Sequence, residues 1–491
     1  MSLKQEESSK SSMVHSRNWI GGEWIVPAAG ECAVVNPSDI REEVGVLHLS
    51  DASHVRQAEQ AARSAYASWS RLTGAARGEH LHRLAAALEA RAAEVARLAS
   101  MEMGKPITEM RGEVMRGVNL LRYYAAEGVR ASGAVIPSSE PDVLQYSRKV
   151  PLGVVGIITP WNFPVAIPLW KIAPALICGN TVIWKPAESA SLTATRLAEI
   201  FAEAGLTPGV VNLVVGKGGK IGGPLLEQIA LDAVSFTGST ATGTHIAETC
   251  AKRNIKYQTE MGGKNAAVVL SDADLEHTVP LIVSGAFRSA GQKCTATSRI
   301  IVESGIYDSF TEALTQAVSR LKLAPALDPE AYLGPVASAG QYETVNSYVQ
   351  LAWEHAEILA QGPAAAEDRE GYYIRPLVAA GLNAEHPLIQ EEIFGPVAVV
   401  LEASDFKEAV ALCNQSVYGL SASLFTRDLS SAHRFLDEAR AGMVRVNQET
   451  AGVEYQAPFG GMKLSSSHSR EQGQAALDFY TELKTCAIRY F

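Results

Sequence analysis

The sequence lacks any unbroken run of apolar residues that could cross a membrane. Its one long apolar stretch, "PLGVVGIITPWNFPVAIPLW" (151–170), contains four prolines and two glycines. A spanning helix does not tolerate so many breaks, so the stretch reads as strand, loop and helix start. The chain also lacks positive charge. Its net charge of −10 gives no long-range attraction for nucleic acid or an anionic membrane. Cysteine is sparse, with six in 491 residues, far apart and without a C-x-x-C pair. With no apolar signal segment, this predicts reduced thiols in a cytoplasmic protein, not a disulfide frame, and no bound metal. Internal repeats are absent. Residues 1–16, polar and Ser-rich, read as a disordered leader.

Apolar residue types make up 47% of the chain, enough for a large core divided among more than one unit. Helical spacing predicts two amphipathic helices over much of 51–100 and a third from Ile107 towards Gly128. From Val154 the pattern changes. "VVGIIT", "TVIWKP", "VVNLVV" and "AVSF" read as strands alternating with helices, two of which close at Gly179 and Gly205. A similar run follows Glu260, with "AAVVL", a helix into Cys294, "RIIV", and a helix around 310–321. Such alternation predicts an α/β fold of two doubly wound parallel sheets. The expected division is a dinucleotide-binding unit (17–128 and 149–261) and a catalytic unit (262–462). Strands within 129–148 and 479–491 fall outside both sheets and are expected to form a small β oligomerisation element pairing with another subunit.

In doubly wound sheets, ligands sit beyond the carboxyl ends of the strands. "TPWNFP" (159–164) lies at such a point, and its Asn162 offers an amide donor; a Pro-rich turn with a helix-capping Asn reads the same. Past the second strand, "KPAES" supplies Lys185 and Glu188. An acidic residue there can bind adenosine ribose hydroxyls, although Lys-x-x-Glu also suits a solvated loop. "FTGSTATG" places Gly238, Ser239 and Gly243 at a helix start, where small residues admit a pyrophosphate to free N–H groups. "GKGGKIGG" (216–223), with Gly218 and Gly222, is not a proper G-x-G-x-x-G because Ile221 takes the third glycine position; a tight turn explains it equally. "EMGGK" (260–264) sets Glu260 at a strand end, suited to a general base or to a hinge surface. "SAGQKCTATSR" (289–299) surrounds Cys294 with small and polar neighbours, the setting of a nucleophile or of an ordinary packed thiol.

Together these segments resemble the NAD(P)-dependent aldehyde dehydrogenase superfamily. "PWNFP", "KPAES", "FTGST", "EMGGK", "GQKC", "EEIFGPV" (391–397) and "PFGG" (458–461) follow the family's order and spacing over essentially the whole chain after the leader. The departures are slight: Met261 stands where Leu is commoner, and the tail reads "SSSHSREQG". The resemblance implies Cys294 as nucleophile, Glu260 as general base and Asn162 as oxyanion donor. It also implies cofactor contacts from Thr159, Trp161, Lys185, Glu188, Gly218, Gly222, Gly238, Ser239 and Gly243, with Glu392 at the nicotinamide ribose and Phe394 beside the nicotinamide. A homodimer or homotetramer is implied as well.

A free thiol near pKa ~8.5 is only a few per cent thiolate at neutral pH, so Cys294 is expected to be activated by a helix end, polar neighbours and the nearby base. Glu188 favours NAD over NADP, because a carboxylate repels a 2′-phosphate. "FRSAGQKCTATSR" with "AGVEYQAPFGGMKLSSSHSREQG" looks like the subgroup oxidising 2-oxoglutarate semialdehyde (2,5-dioxopentanoate). Arg288, a helical turn and a half before Cys294, is then expected to hold the distal carboxylate. Succinate semialdehyde dehydrogenases carry a second arginine where this chain has Trp170. That alternative, a broad-specificity aldehyde dehydrogenase, a coenzyme A-acylating variant, a non-catalytic descendant of the fold and a cysteine-dependent esterase or acyltransferase without redox chemistry are the competing readings. The hydrolase would want a histidine near Cys294, and none lies close in sequence.

Overall fold

Two seven-stranded sheets organise the chain in the computed structural model, which describes residues 13–130, 132–365 and 370–491. The first runs in the order Lys256–Glu260, Ala233–Thr237, Val154–Thr159, Thr181–Pro186, Val211–Leu213, Asn18–Ile20, Glu23–Ile25. Its first five strands are mutually parallel and the last two are antiparallel. The parallel part of the sheet begins at Val154–Thr159, builds outwards through Thr181–Pro186 and Val211–Leu213, then returns to the other side of its first strand. The switch point therefore falls between Val154–Thr159 and Ala233–Thr237, where a crevice opens beyond the strand ends.

In the second sheet the order is Glu357–Gln361, Leu377–Ala380, Val397–Ala403, Thr297–Glu303, Asn265–Val269, Ser421–Phe425, Met443–Val446. Only the outer pair Glu357–Gln361 and Leu377–Ala380 is antiparallel. Four residues separate Glu260, the carboxyl end of an edge strand in the first sheet, from Asn265, the amino end of a strand in the second. Cys294 lies just before Thr297, another amino end. The carboxyl edge of one sheet thus faces the amino edge of the other.

Helices cover the strands through apolar faces. Leu81, Leu84, Leu88, Val95, Met110, Val114 and Leu121 join one core with Val155, Val182 and Trp184 of the first sheet. The two helices expected over 51–100 are three: Ala52–Trp69, Gly74–Ala90 and Ala92–Met103. The break inside "LEARAAEVARLA" falls at Arg91. Its guanidinium pairs with Glu94 in the next helix and with Glu203 at 2.8 Å on the helix Ser191–Glu203. Tertiary pairing overrides the continuous periodicity.

The leader expectation also needs correction. Residues 1–12 lie outside the described residues, but Val14–His15 is a strand paired in parallel with Gly45 and Val46. The segments expected to seek another subunit pair with one another. Thr481–Arg489 runs antiparallel to Val143–Pro151, which also pairs with Gly133–Ile136, giving a three-stranded sheet whose hydrogen bonds lie within the chain. No described helix is long and apolar enough to cross a membrane.

Candidate active site

Two contiguous cavities open beyond the strand ends of the first sheet, and the smaller extends to residues of the second unit. The larger, about 620 Å³, is lined by Thr159, Trp161, Lys185, Gly218, Gly222, Gly238 and Ser239, together with Gly219, Gly223 and His245. The smaller, about 210 Å³, shares Trp161, Gly238 and Ser239 and adds Asn162, Gly262, Cys294, Gln341, Glu392 and Phe394. Residues from sequence positions 159 to 394 therefore converge on one cleft.

Side chains are small in the larger cavity for a reason. The Cβ atoms that Gly219, Gly222 and Gly223 lack would stand in open space, so the backbone itself forms the wall. Gly218–Gly223 forms a short helix, and the N–H of Gly218 donates to Glu188 at 3.2 Å. Ser239 caps the helix Thr240–Lys252. Lys185 is buried, which pushes its amine below the usual lysine range against the opposing pull of Glu188. The side chain of Thr159 is turned inwards, accepting from Trp184 at 2.9 Å, so its contribution to the cavity is largely backbone. Gly243 does not line the cavity. A Cβ there would meet Met261 Sδ at 2.4 Å, so this glycine admits a neighbouring side chain and not a ligand.

Around Cys294 the local geometry departs from a presenting helix. The helix Leu275–Phe287 stops before Arg288, and Ser289 and Ala290 then take left-handed backbone angles (φ 55° and 53°). Cys294 sits in the following loop, its carbonyl accepting from the Asn265 amide at 2.8 Å. Burial, then the carboxylates of Glu392 and Glu260, raises the thiol above its ordinary value. Burial thus outweighs the help expected from a helix end and polar neighbours. Asn162 Nδ2 donates to the Gln292 carbonyl at 3.0 Å, which aims one amide hydrogen and leaves the other.

Glu260 lies beside the cavity without lining it. One oxygen accepts from Ser466 Oγ; the other has no partner among the described residues and faces Gly460, whose absent Cβ would lie 3.0 Å away. Burial and the neighbouring Glu471 raise its carboxyl well above the usual range. Behind it Glu471 pairs with Lys171 and accepts from Trp170 Nε1 at 2.7 Å. Lys171, Ser466 and Glu471 were not foreseen, and nothing in their local sequence marks them.

On the far wall Glu392 accepts from the Gly263 N–H at 3.0 Å. Its carboxyl is pushed up to about 7 by burial, against the pull of that bond and of Lys264. Phe394, held at φ 55°, meets Trp161 edge-to-face at 5.5 Å, and its carbonyl accepts from Gln341 at 2.8 Å. Arg288 lines neither cavity. It is exposed, with its guanidinium 5.1 Å from the centre of the Tyr332 ring. Because the helix ends before it, the expected helical rise from Arg288 to Cys294 does not apply.

The cleft at the switch point brings a cysteine, an amide donor and a glycine-lined wall together. The aldehyde dehydrogenase family model matches residues 24–486, and the chain belongs to that family. It is an NAD(P)-dependent oxidoreductase acting on aldehydes. It is 47% identical over 476 residues to the alpha-ketoglutaric semialdehyde dehydrogenase of Bacillus subtilis (strain 168), covering 96% of this chain and 98% of that protein. The 2,5-dioxopentanoate dehydrogenase of Saccharolobus solfataricus is 38% identical over 469 residues, covering 95% and 98%. Among solved structures, betaine aldehyde dehydrogenase from Staphylococcus aureus in complex with NAD+ superposes with a TM-score of 0.93 at 33% identity, covering 97% of this chain and 95% of that one.

Proposed function

We propose that the chain oxidises an acidic semialdehyde, 2-oxoglutarate semialdehyde in the first instance, to the carboxylic acid with NAD as the favoured cofactor. The observation that carries the reading is the convergence of Cys294, Asn162, Glu392 and Phe394 on one cavity, continuous with the glycine-walled cleft. Two relatives named for this substrate support the choice of aldehyde.

Cys294 Sγ bonds to the aldehyde carbon, and its proton passes to solvent or to a base. The developing oxyanion is held by the Asn162 amide and the Cys294 N–H, a role usually worth about 10²–10³ in turnover per donor. Glu392 and Phe394, which line the same cavity as Cys294, would hold the ribose and the nicotinamide of a dinucleotide, and that group would supply the hydride acceptor. The carbon is left as a thioester on Cys294. Glu260, once its carboxylate swings from Ser466 towards the cavity, removes a proton from water, which hydrolyses that thioester and frees the thiol. The open backbone at Gly219, Gly222 and Gly223 is the feature that fits a pyrophosphate, and Glu188 next to Gly218 fits ribose hydroxyls.

Exposed apolar side chains on the three-stranded sheet, Val135, Leu144, Leu483 and Ile488, support a homodimer or homotetramer. The six free cysteines suit a reducing, cytoplasmic setting. A panel of semialdehydes and uncharged aldehydes, assayed with both cofactors on wild-type protein and Cys294→Ala, tests the proposal. Substantial turnover by Cys294→Ala would overturn the mechanism, and indifference to the distal carboxylate would overturn the substrate.

A further inference from the structure

The two halves of the proposed oxyanion site are gripped by one face of a helix that belongs to neither loop. Glu109 and Glu113 lie four residues apart on the helix Ile107–Glu127, so they project from the same side. Glu113 Oε1 accepts from the backbone N–H of Val165 at 2.9 Å and of Ala166 at 3.1 Å. Its other oxygen pairs with Lys105 Nζ at 2.6 Å, and both side chains are almost wholly buried. The same ammonium donates to the Asn162 carbonyl and lies 3.7 Å from the centre of the Phe163 ring. The turn that carries Asn162 is thus clamped at the Asn162 carbonyl and at the N–H groups of Val165 and Ala166.

Glu109 performs the matching task on the other loop. Its oxygens accept from Ser289 N at 2.9 Å and Ser289 Oγ at 2.8 Å, and Lys293 Nζ stands 4.0 Å away. Ser289 and Ala290 occupy a backbone region that side-chain-bearing residues avoid, and the two hydrogen bonds from Ser289 to Glu109 hold the turn there. Gln292 and Cys294 follow directly, and the Gln292 carbonyl is the group that aims the Asn162 amide.

We infer that Lys105, Glu109 and Glu113 are positioning residues for the two oxyanion donors: Lys105 and Glu113 act through Asn162, and Glu109 acts through the Ser289–Cys294 loop, which carries Cys294 and also the Gln292 carbonyl that aims Asn162. The inference rests on the oxyanion role proposed above for Asn162. A buried charged cluster is justified here because neutral hydrogen bonds would hold the turns less stiffly, and a misplacement of about 1 Å at the reacting centre can cost about 10²-fold.

Two double-mutant cycles on the full chain, read by pre-steady-state hydride transfer with cofactor affinity measured separately, test it. Glu113→Gln keeps an acceptor for Val165 and Ala166 but loses the charge that fixes Lys105. It should slow hydride transfer about tenfold or more with cofactor affinity unchanged, and that loss should vanish in an Asn162→Ala background. Glu109→Gln should slow the same step, and the part of its loss that acts through the Cys294 N–H should persist in Asn162→Ala, whereas none of the Glu113→Gln loss should. Equal proportional losses from Glu113→Gln in both backgrounds, or no loss at all, would overturn the inference. If Asn162→Ala alone left hydride transfer unchanged, the oxyanion assignment itself would fail, a separate outcome. Should Glu113→Gln not fold, Lys105→Met combined with Glu113→Gln removes both charges together, and the same cycle decides.

Discussion

Gly262 and Glu392 compete for one corner of the Cys294 cavity: a Cβ on Gly262 would lie 2.2 Å from Glu392 Oε2. The other carboxylate oxygen is tethered to the adjacent Gly263 N–H. Even a methyl group therefore displaces the carboxylate from the wall. Because the obstructed atoms are the end of a flexible side chain, the fold should tolerate Gly262→Ala. The loss falls on cofactor binding. A charge-assisted bond worth about 1.5–3 kcal/mol predicts a fall of about 10–100-fold in kcat/KM for NAD, with thermal stability nearly unchanged. Steady-state kinetics with varied NAD, beside a melting curve, checks both halves.

Acidity in the cavity predicts the pH profile. Burial holds the Cys294 thiol above its ordinary value, and burial with Glu471 does the same to Glu260. Both groups must lose a proton to act, so a raised pKa means the inactive form dominates at low pH. In the roles proposed for them, turnover should therefore rise as pH increases. Glu260→Gln should remove the pH dependence of thioester release while the burst of cofactor reduction keeps its own. A turnover that falls as pH rises would contradict both assignments.

Much of this site was legible because its residues sit in short segments whose local chemistry is unusual. "PWNFP", "FTGST" and "GQKC" each place a polar or reactive group beside residues that stop or bend an element, at the end of an alternating apolar run. The strands Val154–Thr159, Thr181–Pro186 and Ala233–Thr237 follow from those runs. What escaped depends on contacts between distant positions. Lys171 and Glu471 are 300 residues apart and meet behind Glu260. Gly243 looks like any glycine at a helix start until Met261 fills its space. Cys294 was expected to be activated by a helix end, polar neighbours and a nearby base, but the burial that raises its thiol is a property of the tertiary fold and not of its sequence neighbours. The short N-terminal strands, such as Val14–His15, have too few residues for periodicity to register.

Cofactor choice provides a third test. Glu188 is exposed and bonded to the first N–H of the glycine-rich helix, so its carboxylate stands at the rim of the larger cavity. A 2′-phosphate arriving there meets a like charge, which Lys185, buried and reluctant to hold its proton, offsets only in part. Glu188→Gln should leave kcat/KM for NAD within a few-fold and raise that for NADP about tenfold, equivalent to about 1.4 kcal/mol. Wild-type protein more efficient with NADP than with NAD would show the argument from charge to be wrong.

Arg288 bears most directly on the identity of the aldehyde. Its guanidinium rests over Tyr332 at the surface, outside both cavities, so any grip on a substrate requires the side chain to leave that ring. A cation–π contact at an exposed site is worth about 0.5–1 kcal/mol, a small cost beside two charge-assisted bonds to a carboxylate. The fork geometry suits a distal carboxylate, and the residue stands six positions before Cys294 on the loop that carries it. If it does reach inwards, Arg288→Leu should raise KM for 2-oxoglutarate semialdehyde and succinate semialdehyde about 10-fold or more, while kcat/KM for hexanal holds or improves. Arg288→Lys should recover part of the loss, since a point charge attracts the carboxylate without matching its geometry. Equal losses on charged and uncharged aldehydes would make Arg288 a structural residue. The preference for an acidic substrate would then have to come from other side chains at the cleft.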